Sequence, residues 1–182
     1  MDIYEAVRRR GSVRKYKSKE IPEEILYRIL SAMRAAPSAC DNQPWRFVLV
    51  TDESIRSELA KACRGQSFVG AAPAVLVAGG LPEVAYQGMA GGGDSLRVDV
   101  ATAIAHLMLA AAAEGVGTCW VGAFDEDGAK RAVGAPSAAR IVALVPMGYP
   151  VDGAEFEKAA GRKEKRLPLD QIVAKEKWGF KK

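Results

Sequence analysis

Two periodicities alternate along this chain, one near 3.6 residues and one of two, and together they set out its elements. Ile3, Ala6 and Val7 recur at helical spacing behind Asp2 and Glu5, whose side chains can each satisfy an orphan donor at a helix start. The pattern predicts a helix to about Arg9 or Arg10 with those three residues inward, and Gly11 frees the backbone to turn. Pro22 suits the first turn of a second helix, where Ile25, Leu26, Ile29, Leu30 and Met33 share one face. Pro37 stops that helix, and residues 37–44 read as a loop. A β-prone run at 47–50 is expected to be a strand, buried on both sides if it is a central one. A helix at 53–62 with Ile55 and Leu59 inward, and a second strand at 74–78, follow. Residues 79–93 are rich in glycine and carry the weakest structural signal. A long alanine-rich helix spans 95–114, its large positions being Leu96, Val100, Ile104, Leu107 and Met108, and Gly115 and Gly117 end it. A third strand is expected at 119–122 and a fourth at 141–147, with a short helix between them from Asp125 to a stop at Gly134. From Tyr149 the chain is polar and basic to Leu167. The late apolar residues Ile172, Val173, Trp178 and Phe180 imply a tail that docks on a surface. Intermixed helices and strands place the chain in the α/β or α+β class, with helices covering a central sheet.

Composition narrows the function classes. The 182 residues suit one domain over 1–182, and 49% apolar content supplies a packed core. The net charge of +4 comes from 26 basic residues dispersed among 22 acids, which favours a small anionic ligand over a nucleic acid. Cys40, Cys63 and Cys119 are odd in number and widely spaced, so neither a disulfide scaffold nor a metal site is expected. The N-terminus lacks the order of a signal peptide, and the apolar stretch 100–113 contains Thr102 and His106 and is short for a bilayer. A cytoplasmic protein without membrane contact is the expectation.

Three segments carry candidate chemistry. In the basic run of residues 8–17, Arg10, Ser12 and Arg14 would point to one side if the chain is extended, and guanidinium forks with a hydroxyl match phosphate oxygens. A solvated basic helix end explains the same residues, and composition alone leans that way. In the Pro37–Trp45 stretch, Asn42 and Gln43 could read a heterocycle edge, or the segment is a turn with Trp45 in the core. The glycines of the Gly115–Gly122 stretch permit close backbone approach to a flat ligand, or simply stop a helix before a buried strand. His106 stands alone inside a helix, nothing near Cys40 marks it as a nucleophile, and no G-x-G-x-x-G follows a strand.

Taken in order, these segments resemble the nitroreductase family over nearly the whole chain. The matching landmarks are Arg10-Gly11-Ser12-Val13-Arg14-Lys15-Tyr16, then Pro37-Ser38 with Asn42-Gln43-Pro44-Trp45, then Asp99 through Gly117-Thr118-Cys119-Trp120-Val121-Gly122. Pro146-Met147-Gly148-Tyr149-Pro150 and Arg166-Leu167-Pro168-Leu169 complete the series. The resemblance implies an α+β, three-layer-like fold with a central mixed sheet, and an intertwined homodimer with FMN at the subunit interface. It assigns Arg10, Gly11, Ser12 and Arg14 to the ribityl phosphate and the pyrimidine edge, and Pro37 and Ser38 to the loop that the partner subunit lays against the ring. Asn42 would support that loop, Gln66 would meet the flavin edge, and Gly117 and Thr118 would offer backbone near the ring. Arg166, with Lys165, would complete the phosphate grip. The implied activity is hydride transfer from NADH or NADPH, then ping-pong reduction of an electron-poor nitroaromatic or quinone. No protein residue is assigned a catalytic role, and no metal is needed. Two alternatives stay open: a flavin-binding carrier or regulatory module without turnover, and a flavin-fragmenting or dehalogenating branch. The chain departs from the pattern at Gly11, where the family often has a basic or imidazole residue, and residues 79–94 fall where members differ in their substrate lids.

Overall fold

The computed structural model describes residues 1–152, 156 and 166–179. The elements bounded among them are α1 (Ile3–Arg9), α2 (Glu23–Arg34), β1 (Trp45–Val50), α3 (Glu53–Ala62), α4 (Ser67–Ala71), β2 (Ala74–Gly80), α5 (Leu96–Ala113), β3 (Gly117–Thr118), α6 (Glu126–Val133) and β4 (Arg140–Gly148), with short 3-10 turns at Ala39–Asp41 and Leu169–Gln171. Local chemistry accounts for many of the boundaries. Asp2, Asp52 and Asp125 each accept a backbone N–H at the start of α1, α3 and α6. Gly134 ends α6 at a φ of 65°, in the left-handed region where glycine carries no Cβ penalty.

The sheet runs β1-β2-β4-β3, and every named pair is antiparallel. A parallel component enters through a single bridge, Ser12 to Thr118. Apolar residues on both faces make three layers. Leu76, Ala78, Val145 and Met147 face α2 and α5, and Val75, Val77 and Leu144 face the α3 and α6 side. All seven positions of β2 are therefore buried, as a strand covered on both faces must be. By length and composition α5 would pass as a membrane span, yet half of it is buried in this core.

Three expectations change. The run at 47–50 belongs to an edge strand rather than a central one. β1 pairs with β2 alone, so Arg46 and Val48 are exposed while Trp45 and Val50 are buried. Ala6 is the buried residue of α1, whereas Ile3 and Val7 are 58% and 54% exposed. With Tyr4 they form a separate stripe, because at 100° per residue Ala6 lies to one side of it. The third strand lies earlier than 119–122. Gly115 makes the helix stop with a φ of 74°, Gly117 is already in β3, and the chain then touches β4 at the Val121–Leu144 bridge. In the tail, Ile172 and Val173 are over half exposed and Trp178 is 93% exposed, so these side chains are not part of the buried core; Phe180 lies outside the described residues.

Cys63 ends α3 and is fully buried, and that burial pushes its thiol up to about 11 from 9.0. Its folded-state value lies above the unfolded one, so its stabilising contribution is complete below pH 9 and is lost as pH rises toward 11. In native protein at neutral pH, Cys63 is expected to resist iodoacetamide while the exposed Cys40 is modified. Peptide mapping of labelled protein checks this, and rapid native labelling of Cys63 would contradict it.

Candidate functional site

Residues 10–17 leave α1 as an extended run laced to β3 and to the segment that follows β4. Val13 N–H donates to Thr118 O at 2.9 Å, Lys17 N–H donates to Tyr149 O at 2.8 Å, and Val151 N–H returns a bond to Lys15 O at 3.2 Å. The Tyr16 hydroxyl donates to Val13 O, with Pro146 O 3.3 Å away. Burial alternates through this run. Gly11 and Val13 are buried, while Arg10 and Ser12 are half-buried and Arg14 is exposed. The side chains of residues 10, 12 and 14 thus share the outward side, as a period of two requires. The Arg14 guanidinium sits 5.7 Å from the centre of the Phe68 ring. Neither Arg10 nor Arg14 has a carboxylate partner among the described residues, so both positive charges are available to an anion.

Gly117 and Thr118 complete this cluster. A Cβ on Gly117 would fall 2.7 Å from the Val13 side chain, so only glycine lets the two segments meet so closely. Gln66 caps α4, close in sequence to Phe68, and its side-chain amide donates to Cys63 O at 3.0 Å. Arg166 is exposed, and no hydrogen bond or ion pair among the described residues ties it to Arg10 or Arg14. Lys165 lies outside the described residues.

Pro37, Ser38 and Asn42 form a second group. The loop is strongly shaped: Cys40, Asp41 and Gln43 have φ values of 51°, 54° and 47°, unusual for residues with a Cβ. Ser38 Oγ accepts from Gln43 N–H at 3.0 Å, Asn42 N–H donates to Ala39 O at 3.1 Å, and Ala39 N–H donates to Asp99 Oδ1 at 3.0 Å. Asp99 lies in the first turn of α5, whereas Gly117 and Thr118 follow its last turn. Counted along the helix, the two groups are on the order of 20 Å apart. One protomer therefore does not bring Pro37 and Ser38 to Arg10, Ser12 and Arg14.

The sequence assigns no role to Ser95 or Phe68, and it marks Asp99 only as a landmark of the resemblance. Asp99 carried a signal, an acid on an otherwise apolar face of α5, but only the structure shows that it reaches Ala39.

A sequence model of the nitroreductase family matches residues 7–80 and 62–149 of this chain. A protein of Thermus thermophilus named NADH dehydrogenase is 32% identical, the match covering 95% of each chain. A solved nitroreductase family protein from Clostridium novyi NT superposes with a TM-score of 0.79 at 32% identity, over 85% of this chain and 88% of that one. An FMN-dependent nitroreductase from Clostridium difficile R20291 superposes with a TM-score of 0.73 at 25% identity, over 82% and 88%.

Proposed function

The chain belongs to the nitroreductase family, and from that premise we propose that it is an FMN-dependent oxidoreductase, using NADH or NADPH to reduce electron-poor acceptors such as quinones or nitroaromatics. The observation that carries this is the outward row of Arg10, Ser12 and Arg14, two of them guanidinium groups with no carboxylate partner among the described residues, beside the Gly117 close approach. Such a donor set fits a phosphate and the electron-rich edge of a flavin. Bound FMN would supply the transfer of hydride from the nicotinamide to the acceptor. Arg10 and Arg14 hold the anionic groups and favour negative charge beside them. The Thr118 carbonyl keeps Val13 in place, and with it the spacing of residues 12 and 14. Gln66, at the N-cap of α4 two residues before the Phe68 ring that Arg14 covers, is assigned to the flavin edge, and Arg166 with Lys165 is assigned to the phosphate from a segment further along the chain.

Pro37 and Ser38, with Asn42 behind them, belong to the partner subunit's side of the site in this reading. Their separation along α5 supports it. So do the exposed Ile3, Tyr4 and Val7 stripe and the exposed Ile172 and Val173, apolar residues that a second copy would cover. The reading makes the protein a homodimer acting on small molecules, in the cytoplasm, as one domain over 1–182.

A visible spectrum of the purified protein tests the function. Flavin bands that bleach when NADH or NADPH is added, and return with a quinone, are expected. A protein that is colourless and stays so after FMN is added and removed overturns the reading. Sedimentation should show a dimer, and a monomer with full FMN affinity would contradict the shared site. Arg14→Ala is expected to weaken FMN binding by about 1.5–3 kcal/mol, roughly tenfold to a hundredfold in Kd. Fluorescence titration of the apoprotein measures this, and an unchanged Kd would remove Arg14 from the site.

A further inference from the structure

Ser95 and Asp99 are buried polar residues, 0% and 4% exposed, at the start of α5. Both are diverted from the work their positions suggest. Ser95 occupies the N-cap position, where a hydroxyl ordinarily accepts a helical N–H, yet its side chain makes no such bond. Asp94 takes that task, accepting Leu96 N–H at 3.0 Å while it pairs with Arg140 at 2.9 Å. The Ser95 hydroxyl instead donates to Asp99 Oδ2 at 2.6 Å and accepts from Tyr86 N–H at 3.1 Å. Ser95 N–H also donates to Tyr86 O at 2.9 Å, so both backbone groups of Tyr86 are held by one residue. The other oxygen of Asp99 accepts from Ala39 N–H at 3.0 Å.

These bonds form one buried chain from the loop at Ala39, through Asp99 and Ser95, to Tyr86. A buried carboxyl is costly unless its oxygens are satisfied, and a fully satisfied network specifies geometry. Here both oxygens are used, one for each incoming segment. Tyr86 is 40% exposed, and its ring lies over Gly88, where a Cβ would fall 2.6 Å from Tyr86 Cζ. Tyr86 is thus held by its backbone and given room for its ring, and it is joined through Ser95 and Asp99 to a loop with three left-handed residues.

We propose that Asp99 and Ser95 are positioning residues: their hydrogen-bonded pair sets the separation between the Pro37–Ser38 loop and the Tyr86 segment, and that separation decides which electron acceptors fit. Neither residue touches flavin or acceptor. The proposal rests on the reading that Pro37 and Ser38 face a bound flavin. It makes Tyr86 a wall of the acceptor site, suited to planar aromatic acceptors through its exposed ring.

The two arms are separable by substitution. Ser95→Ala leaves Tyr86 N–H without a partner but retains the Asp99–Ala39 bond. Asp99→Asn keeps an acceptor for Ala39 N–H in the same volume, while the Ser95 hydroxyl loses its acceptor. The first readout needs no flavin: in Ser95→Ala apoprotein, amide exchange at Tyr86 should accelerate while Ala39 stays protected. The second uses protein loaded with FMN, photoreduced with EDTA, and mixed with menadione, nitrobenzoate or ferricyanide. The half-saturating concentration of menadione and nitrobenzoate should rise about fivefold or more, with the rate at saturation within about twofold of wild type. Ferricyanide, which takes electrons without docking in a shaped pocket, should reoxidise the variants at the wild-type rate. Asp99→Asn should reproduce the pattern, and it carries the test if Ser95→Ala does not fold. Equal slowing with all three acceptors, or unchanged half-saturation in variants that retain FMN, overturns the proposal and leaves the flavin reading standing. Wild-type protein that binds no FMN overturns both.

Discussion

Gly80→Ala is expected to lower the stability of the fold by about 3 kcal/mol or more. Gly80 is the last residue of β2, where the strand passes beneath the end of the 37–44 loop. An added Cβ would collide with the Pro44 carbonyl oxygen and fall 2.7 Å from Leu96 Cδ1. Neither neighbour can yield cheaply. The Pro44 oxygen accepts Leu81 N–H at 3.0 Å, and Leu96 is fully buried at the first turn of α5. Relief requires moving the Pro44–Trp45 backbone or opening the seam between β2 and α5, and both also shift the anchor of the Pro37–Ser38 loop. The expected fall in Tm is roughly 6–12 °C for a chain of this size. Calorimetry of the two proteins measures it, and a variant melting within about 2 °C of wild type would show that the seam relaxes freely.

Gly117→Ala strikes the candidate site itself. Its Cβ would lie 2.7–2.8 Å from three atoms of Val13, a side chain with 0% exposure. Overpacking of this kind costs about 1–3 kcal/mol. The larger effect falls on binding. Separating Gly117 from Val13 strains the Val13–Thr118 hydrogen bond and turns the row that carries Ser12 and Arg14. FMN affinity is expected to drop more than about tenfold, beyond what the stability loss explains. Urea melts and FMN titrations on one preparation separate the two effects. A destabilised variant with unchanged FMN affinity would leave Gly117 a packing glycine and move the flavin elsewhere.

How legible the site was in the sequence differs from residue to residue. Arg10, Ser12 and Arg14 were readable because an extended chain alternates its side chains regardless of context, and the burial of Gly11 and Val13 follows that alternation. The Pro37–Pro44 loop was readable from its prolines and amides, but its shape was not, since three left-handed residues with side chains run against local preference. The Asp99–Ser95 pair was hidden because its bonds reach Ala39 and Tyr86, sixty and nine residues away. The placement of Lys165 stays with sequence alone.

What the sequence by itself determined is therefore what neighbours along the chain decide. The aspartate caps of α1 and α6, the stop at Gly134, the apolar faces of α2 and α5 and the outward row of Arg10, Ser12 and Arg14 all rest on interactions within four residues or on backbone period. Tertiary structure alone decided that β1 is an edge, that Ile3 and Val7 face outward, and that the two halves of the candidate site lie at opposite ends of α5. Strand order, the facing of a short helix and buried hydrogen bonds depend on which distant segments share the core. Many sequences with the same local periods leave that choice open, and it is settled only when all the layers pack at once.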